Sequence, residues 1–305
     1  MLAPIVLFVY NRPNHTKRVV DALLKNKLSS ESILYIFADG PKANATKEHI
    51  NRIMELRSYL HSIKGFKEVI IEESEINKGL SNSEIYGVSK VIKKHGKVIV
   101  LEDDLETSSQ FLKYMNESLD MYEYDEKVVC VSGFSFIKDA PIKEASYFVV
   151  GCECCGWGTW KRGWDTFPSD TKPLYEKILN DKSLGKHFNY DYAYDFNGML
   201  KQQIDGKIDS WAIRWRASAF VQELLCLHPT KSLIHNIGFD SEGTHTNNTQ
   251  DEEATIEVNE DILEYPKIPI LESTAMYKKY VEFFERRSGG GLFKRIVRKV
   301  VRFIQ

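Results

Sequence analysis

The chain has 305 residues, enough to bury a sizeable core in one large or two intimate domains. It is 43% hydrophobic and 28% charged with a formal charge of −2, the composition of a water-facing globular protein and not of a nucleic-acid binder. The apolar run from Leu2 to Val9 is too short to span a bilayer and follows no basic segment of the signal-peptide kind, so a first buried strand is expected there.

The first hundred residues alternate between strand and helix patterns. PIVLFVY reads as a buried strand, followed by a polar-apolar helix through Val19 to Leu24. ILYIFAD precedes a helical stretch around Ile53 to Leu60, and EVIIEE precedes a helix from about Ser83 to Lys94. KVIVLED closes the series. Such alternation predicts βαβ units and a mainly parallel sheet, with the strand C-termini on one edge. The residues at those ends are Asn11 and Arg12, Asp39 and Gly40, the Asn77-Lys78-Gly79 turn, and Glu102-Asp103-Asp104.

Further along, Ser109 to Tyr124 has helical periodicity and VVCVSGF reads as another strand. Residues 147 to 167 crowd Gly, Cys and Trp into an irregular stretch, where the aromatics either wall a pocket or fill a core. Three of the five cysteines fall here, at Cys152, Cys154 and Cys155. With no secretion signal, reduced thiols in a cytosolic protein are expected. The triplet has no second ligand cluster at finger-like spacing, which favours packing residues over a zinc site. Helical periodicity returns from Trp211 to Leu225, SLIHNIG reads as a strand, 240 to 253 as a loop, and Met276 to Phe284 as a helix.

The chemistry concentrates at the KVIVLEDDLE strand. Three consecutive carboxylates at a strand end repel one another unless something positive joins them, and in open α/β sheets ligands bind at that edge. A divalent cation carrying a diphosphate satisfies both demands; a solvated acidic turn is the plainer alternative. No Gly-x-Gly-x-x-Gly, Walker A or Gly-x-Ser-x-Gly sequence is present. Arg12 directly follows a strand and suits a base or phosphate, or a surface ion pair. Asp39 stands before Gly40-Pro41, an ordinary turn signature. Asp209, in Asp209-Ser210-Trp211, is either the N-cap of the helix that follows or a general base. His245, in a loop, could reach a metal or phosphate, or simply be solvated.

VYNRP, FADGP, NKGLSNSE and VIVLEDDLETSSQFLKYMNESL together resemble the GT-A glycosyltransferases, and most of all the N-acetylglucosaminyltransferase I type with its Glu-Asp-Asp motif. VVCVSGF, Gly156-Trp157-Gly158 and Ile208-Asp209-Ser210-Trp211 continue the same order, so the resemblance spans most of residues 3 to 250 and is strongest at the acids. It implies an α/β GT-A (nucleotide-diphospho-sugar transferase) fold and a nucleotide-sugar donor with Mn²⁺ or Mg²⁺. By position, Asp104 would be the metal ligand, with Asp103 on the ribose and Glu102 supporting the nucleotide. Arg12 and Asp39 would hold the base, and Asp209 would be the catalytic base. The family shows a double acid before the Trp where this chain has Ser210, and a His that is missing between Asn77 and Ser83. Sugar transfer by a carboxylate base and a metal-held leaving group predicts inversion at the anomeric carbon.

The last residues form a separate feature. LFKRIVRKVVRFI, from Leu292 to Ile304, alternates apolar residues at helical spacing with Lys294, Arg295, Arg298, Lys299 and Arg302. With no acid in residues 289 to 305, this predicts a basic amphipathic helix on an anionic membrane surface, behind a Ser-Gly-Gly-Gly linker. A helix docked on the protein itself is the alternative.

The expected organisation is a GT-A domain over 1–270, divided into a nucleotide-binding half (1–106) and an acceptor half (107–270). A C-terminal helix over 271–288 and the tail over 289–305 complete it. The expected function is transfer of a sugar to a hydroxyl of a glycan or lipid-linked glycan, in the cytoplasm at the membrane. A sugar nucleotidyltransferase is the rival enzyme; it would show a Gly-rich loop where Tyr10-Asn11-Arg12-Pro13 stands. A non-catalytic module binding sugar nucleotide or membrane is the rival from another class.

Overall fold

The computed structural model describes residues 1–239 and 255–287. His245 and the tail over 289–305, with its expected amphipathic helix, lie outside them. The chain opens with β1 (Ile5–Val9), α1 (Pro13–Leu24), β2 (Ile33–Ala38), α2 (Lys47–Leu60), β3 (Glu68–Glu73), α3 (Leu80–His95) and β4 (Lys97–Glu102). Pro13 starts α1, where its missing N–H costs nothing and its fixed φ suits the first turn. The short β5 (Leu105–Thr107), α4 (Phe111–Met121) and β6 (Val128–Ser132) follow.

Next come β7 (Ser146–Val150), β8 (Trp157–Trp160), α5 (Lys161–Trp164), α6 (Lys172–Asn180), α7 (Lys182–Phe188), α8 (Phe196–Ile204) and α9 (Trp211–Val221). The described chain ends with β9 (Leu225–Pro229), β10 (Ile234–Asn236) and α10 (Thr274–Arg287).

Eight strands form one sheet in the order β3-β2-β1-β4-β8-β6-β9-β7. The first four are parallel, as the βαβ pattern predicts. β8 and β7 run against their neighbours, so the sheet is mixed in its second half. Side-chain parity divides the core into two layers. Ile5, Leu7 and Val9 of β1, with Ile99 and Leu101 of β4, pack with Val19, Val20 and Leu23 of α1. Val6, Phe8, Val98 and Val100 face the other way, onto Val88, Val91 and Ile92 of α3. α3 lies close there: a Cβ at Gly87 would stand 2.8 Å from the Phe8 ring.

The irregular stretch of the sequence thus contains two strands, and its tryptophans fill the core. Trp157 and Trp164 are buried with Trp211 and Trp215 of α9, and the Trp157 and Trp215 rings lie 4.9 Å apart. A second aromatic cluster covers the edge strand β7, where Met276, Tyr280, Phe283 and Phe284 of α10 meet Tyr147, Val149 and Tyr190.

Candidate active site

Parity decides what the acidic strand end delivers. Val98 and Val100 face α3, so Glu102, paired in register with Phe8, falls on the α3 side of the sheet. Asp103 and Asp104 then turn the chain towards β5, and Arg12 arrives from the end of the adjacent β1. Its Nη2 forms an ion pair with Asp103 and donates to Asp104 Oδ2 at 3.0 Å. The Thr16 hydroxyl donates to the Arg12 carbonyl at 3.0 Å, tying that residue to the first turn of α1. β10 pairs with β5 and places its following loop on the far side of Asp104. There the Ile237 N–H donates to the Asp104 carbonyl at 2.8 Å, and Gly238 lies so close to the Asp104 carboxylate that a Cβ would displace it.

A fourth carboxylate joins from below. Ser81, Glu84, Gly87, Val88, Val91 and Ile92 form the buried stripe of α3, so Glu84 occupies a position where an apolar residue is the rule. It is fully buried, and neither carboxylate oxygen has a hydrogen-bond partner. Burial, with Glu102 and Asp104 nearby, pushes its pKa well above the usual carboxylate range. Burial, then Asp104 and Asp103, push Glu102 up to about 8. Asp103 is raised by burial to about 6 even though Arg12 pulls the other way. Burial works against the charge on Arg12, but Asp103 and Asp104 outweigh it and push its pKa up. One guanidinium among four acids leaves a site short of positive charge.

Asp39 is elsewhere on the same edge. Its carboxylate accepts from the backbone N–H groups of Gly40, Lys78 and Gly79 at 2.8, 2.8 and 3.0 Å, and from Asn77 Nδ2 at 2.9 Å. It therefore ties the turn before α3 to the end of β2. Beside it opens a shallow cleft lined by Phe37, Asp39, Glu72, Lys78, Ser83 and Tyr86. Lys78 Nζ lies 4.8 Å and Lys90 Nζ 5.4 Å from the centre of the Tyr86 ring, a residue that is 43% exposed.

The N-cap reading of Asp209 needs correction: Ser210 caps α9, its Oγ accepting from the Ile213 N–H at 3.4 Å. A shorter polar side chain sits one residue nearer the helix and takes the role. Asp209 is exposed. Its neighbour Trp211 stacks 5.4 Å from Trp157, which pairs in register with Val100, so the start of α9 lies on the side where β4 ends. The structure thus gathers Arg12, Glu102, Asp103 and Asp104, sets Asp39 in the adjoining turn, and leaves Asp209 on a separate element. Glu84 escaped the sequence reading, although a lone acid on the 81-84-88-91 stripe was a visible signal. Gly238 gave no signal, because its role comes only from the pairing of β5 and β10.

The donor chemistry of the acids fits a hard cation such as Mn²⁺ or Mg²⁺. Among the described residues, no three oxygen ligands of this cluster come within 4.8 Å of one another. The protein would supply one or two carboxylates, Asp104 first, and phosphate oxygens would complete the shell, the usual arrangement for a nucleotide-bound Mg²⁺.

Residues 1–142 match the family model described as the GNT-I family. The match bears out the resemblance read from the acidic motif and covers Arg12, Asp39, Glu84 and all three strand-end acids. Among solved structures, the chain is similar to Staphylococcus aureus TarS 1–349, with 12% identity and a TM-score of 0.40 over 78% of this chain and 61% of that one. It is also similar to mouse xyloside xylosyltransferase 1, with 12% identity and a TM-score of 0.31 over 68% and 83%. The chain thus spans less than two thirds of the TarS 1–349 chain, and 36% of a longer TarS chain.

Proposed function

We propose that this chain is a metal-dependent, inverting glycosyltransferase that moves a sugar from a nucleotide-sugar to a hydroxyl of a glycan or lipid-linked glycan. The observation that carries the reading is the group of four neighbouring carboxylates at the end of β4, two of them paired with Arg12, inside the stretch matching the GNT-I family. A Mn²⁺ or Mg²⁺ held there by Asp104 would neutralise charge developing on the leaving diphosphate.

The residues divide the remaining work. The cleft beside Asp39 takes the nucleotide base, with the Tyr86 ring and Lys78 at its wall. Asp103 accepts from the ribose hydroxyls and Glu102 supports the nucleotide. Arg12 is free to follow negative charge from Asp104 onto phosphate, as a guanidinium binds either anion well. Asp209 takes the proton from the acceptor hydroxyl, the step that a carboxylate on the opposite face of the sugar performs. His245 would add a ligand to metal or phosphate. The basic tail over 289–305 brings the enzyme to an anionic membrane surface where a lipid-linked acceptor resides. Among the described residues, no helix is long and apolar enough to cross a membrane.

A thermal-shift screen of nucleotide-sugars with and without Mn²⁺ tests the donor site. We expect one nucleotide to stabilise the protein only with metal, and Asp104→Ala to lose both that shift and transfer, the latter on the order of 100- to 1,000-fold. No shift with any nucleotide would return the cluster to a structural role. Asp209→Asn should keep the shift while slowing transfer by roughly 10²–10⁴-fold; unchanged turnover would remove it as the base. Removing 289–305 should abolish vesicle binding and spare turnover on a water-soluble acceptor.

A further inference from the structure

The loop between β7 and β8 carries Glu153, Cys154 and Cys155, whose carboxylate oxygen and two thiol sulfurs lie within 4.8 Å of one another. Among the described residues no other group of three potential metal ligands is so close. A tetrahedral zinc, with bonds of about 2.0–2.3 Å, needs its ligand atoms about 3.3–3.8 Å apart, so small side-chain movements would close the set. The loop is built to stay in place. Gly151, at φ +112°, donates to the Leu224 carbonyl at 2.8 Å, and Gly156, at φ +60°, accepts from the Gly133 N–H at 2.7 Å. A Cβ at Gly156 would stand 2.6 Å from Ile234, so the second anchor admits only glycine.

Within the loop the Cys154 N–H donates to Glu153 Oε1 at 2.8 Å, and the Cys154 thiol points at the same oxygen at 3.6 Å. All three side chains are partly exposed, so an ion can reach them. None of the five cysteines is bridged. Binding of a dication by the two thiols displaces their protons to solvent.

We propose that Glu153, Cys154 and Cys155 form a site for a thiophilic divalent cation of the zinc or cadmium class, with water in the fourth position. It is a different site from the hard-cation position at Asp104, and it does not depend on the glycosyltransferase reading. Sulfur donors select soft and borderline ions, and oxygen donors select Mg²⁺ and Mn²⁺.

The test uses the full chain, reduced and chelator-treated, titrated with Cd²⁺ alone while the thiolate-to-cadmium charge-transfer absorption is followed. One equivalent per chain should bind, the band should vanish in Cys154→Ser and in Cys155→Ser, and it should persist in Asp104→Ala. Glu153→Gln, the mildest change to the loop, should lose the thermal stabilisation that Zn²⁺ gives the unaltered protein. The proposal is overturned by absence of the band, by its survival when both cysteines are serine, or by its loss in Asp104→Ala. Isolation of the protein with a Cys154–Cys155 disulfide would overturn it as well.

Discussion

The acidic edge and the aromatic cluster under α10 both bury polar groups, and they treat them in opposite ways. Around α10 most of these polar atoms are paired: the Tyr147 hydroxyl bonds Ser135 at 3.1 Å and Tyr280 at 3.0 Å, and His228 Nδ1 meets the Phe134 carbonyl at 3.0 Å, leaving only the neutral ring nitrogen Nε2 of His228 without a partner among these groups. At the end of β4, Glu84 is fully buried with both oxygens unmatched, while Arg12 serves Asp103 and Asp104 together. An unpaired buried carboxylate costs more than a hydrogen bond gains, so a fold keeps one only where something else compensates. The paired region is architecture. The unpaired one is a receptor for charge.

Three substitutions can break or sharpen that contrast. Arg12→Ala should have the largest effect, about 3–5 kcal/mol of stability, because it leaves Asp103 buried without its counter-ion. Chemical denaturation measures it, and added Mn²⁺ should restore part of the loss; an unchanged midpoint would mean that Arg12 does not hold the site together. In the paired region, Phe283→Ala should cost nearly as much, about 3–5 kcal/mol, from the cavity left under α10. Here Mn²⁺ should restore nothing, and recovery with metal would erase the distinction between the regions.

Glu84→Gln should act in the opposite direction and by less. Glu84 and Glu102 both have folded-state pKa values above the ordinary 4.5, Glu102 at about 8. The folded protein therefore holds protons that the unfolded chain would release. Stability from these groups is fully present below about 4.5 and declines as pH rises towards 8. Removing the Glu84 charge should stabilise the metal-free protein at the upper end of that window by about 1–3 kcal/mol and flatten the decline. Thermal melts across the window decide it, and an unaltered slope would show that Glu84 ionises in the folded protein as it does in the unfolded chain.

The two regions also differ in how well the sequence announces them. β1, β2 and β4 are apolar runs buried on both faces, β3 is a half-buried edge strand with the same apolar centre, and the helices between them carry clear apolar stripes, so the parallel half and its acidic edge were legible. The second half was not. β7 and β8 lie in a stretch whose Gly, Cys and Trp residues follow no period, because β8 is held by strands on both sides and by packing around its tryptophans. The helices α6, α7 and α8 bury only one or two residues each, too few to leave a stripe. At the site itself, Arg12 and the three acids were readable from their place at strand ends. Glu84 and Gly238 act through contacts between distant elements, which a linear pattern does not encode. The cap alternative for Asp209 fell to Ser210 because two capping residues stand side by side and only geometry chooses between them.

The position of β8 has a practical bearing on how the protein can be divided. Residues 1–142 carry the family match, yet within them β4 and β6 never touch edge to edge; β8, from residues 157–160, lies hydrogen-bonded between them. A chain ended at residue 142 would contain all four acids clustered at the end of β4 and two bare strand edges facing a gap. Exposed edges of that kind recruit other chains. Such a fragment should aggregate when expressed, and a soluble piece that keeps the sheet closed must extend at least through Trp160.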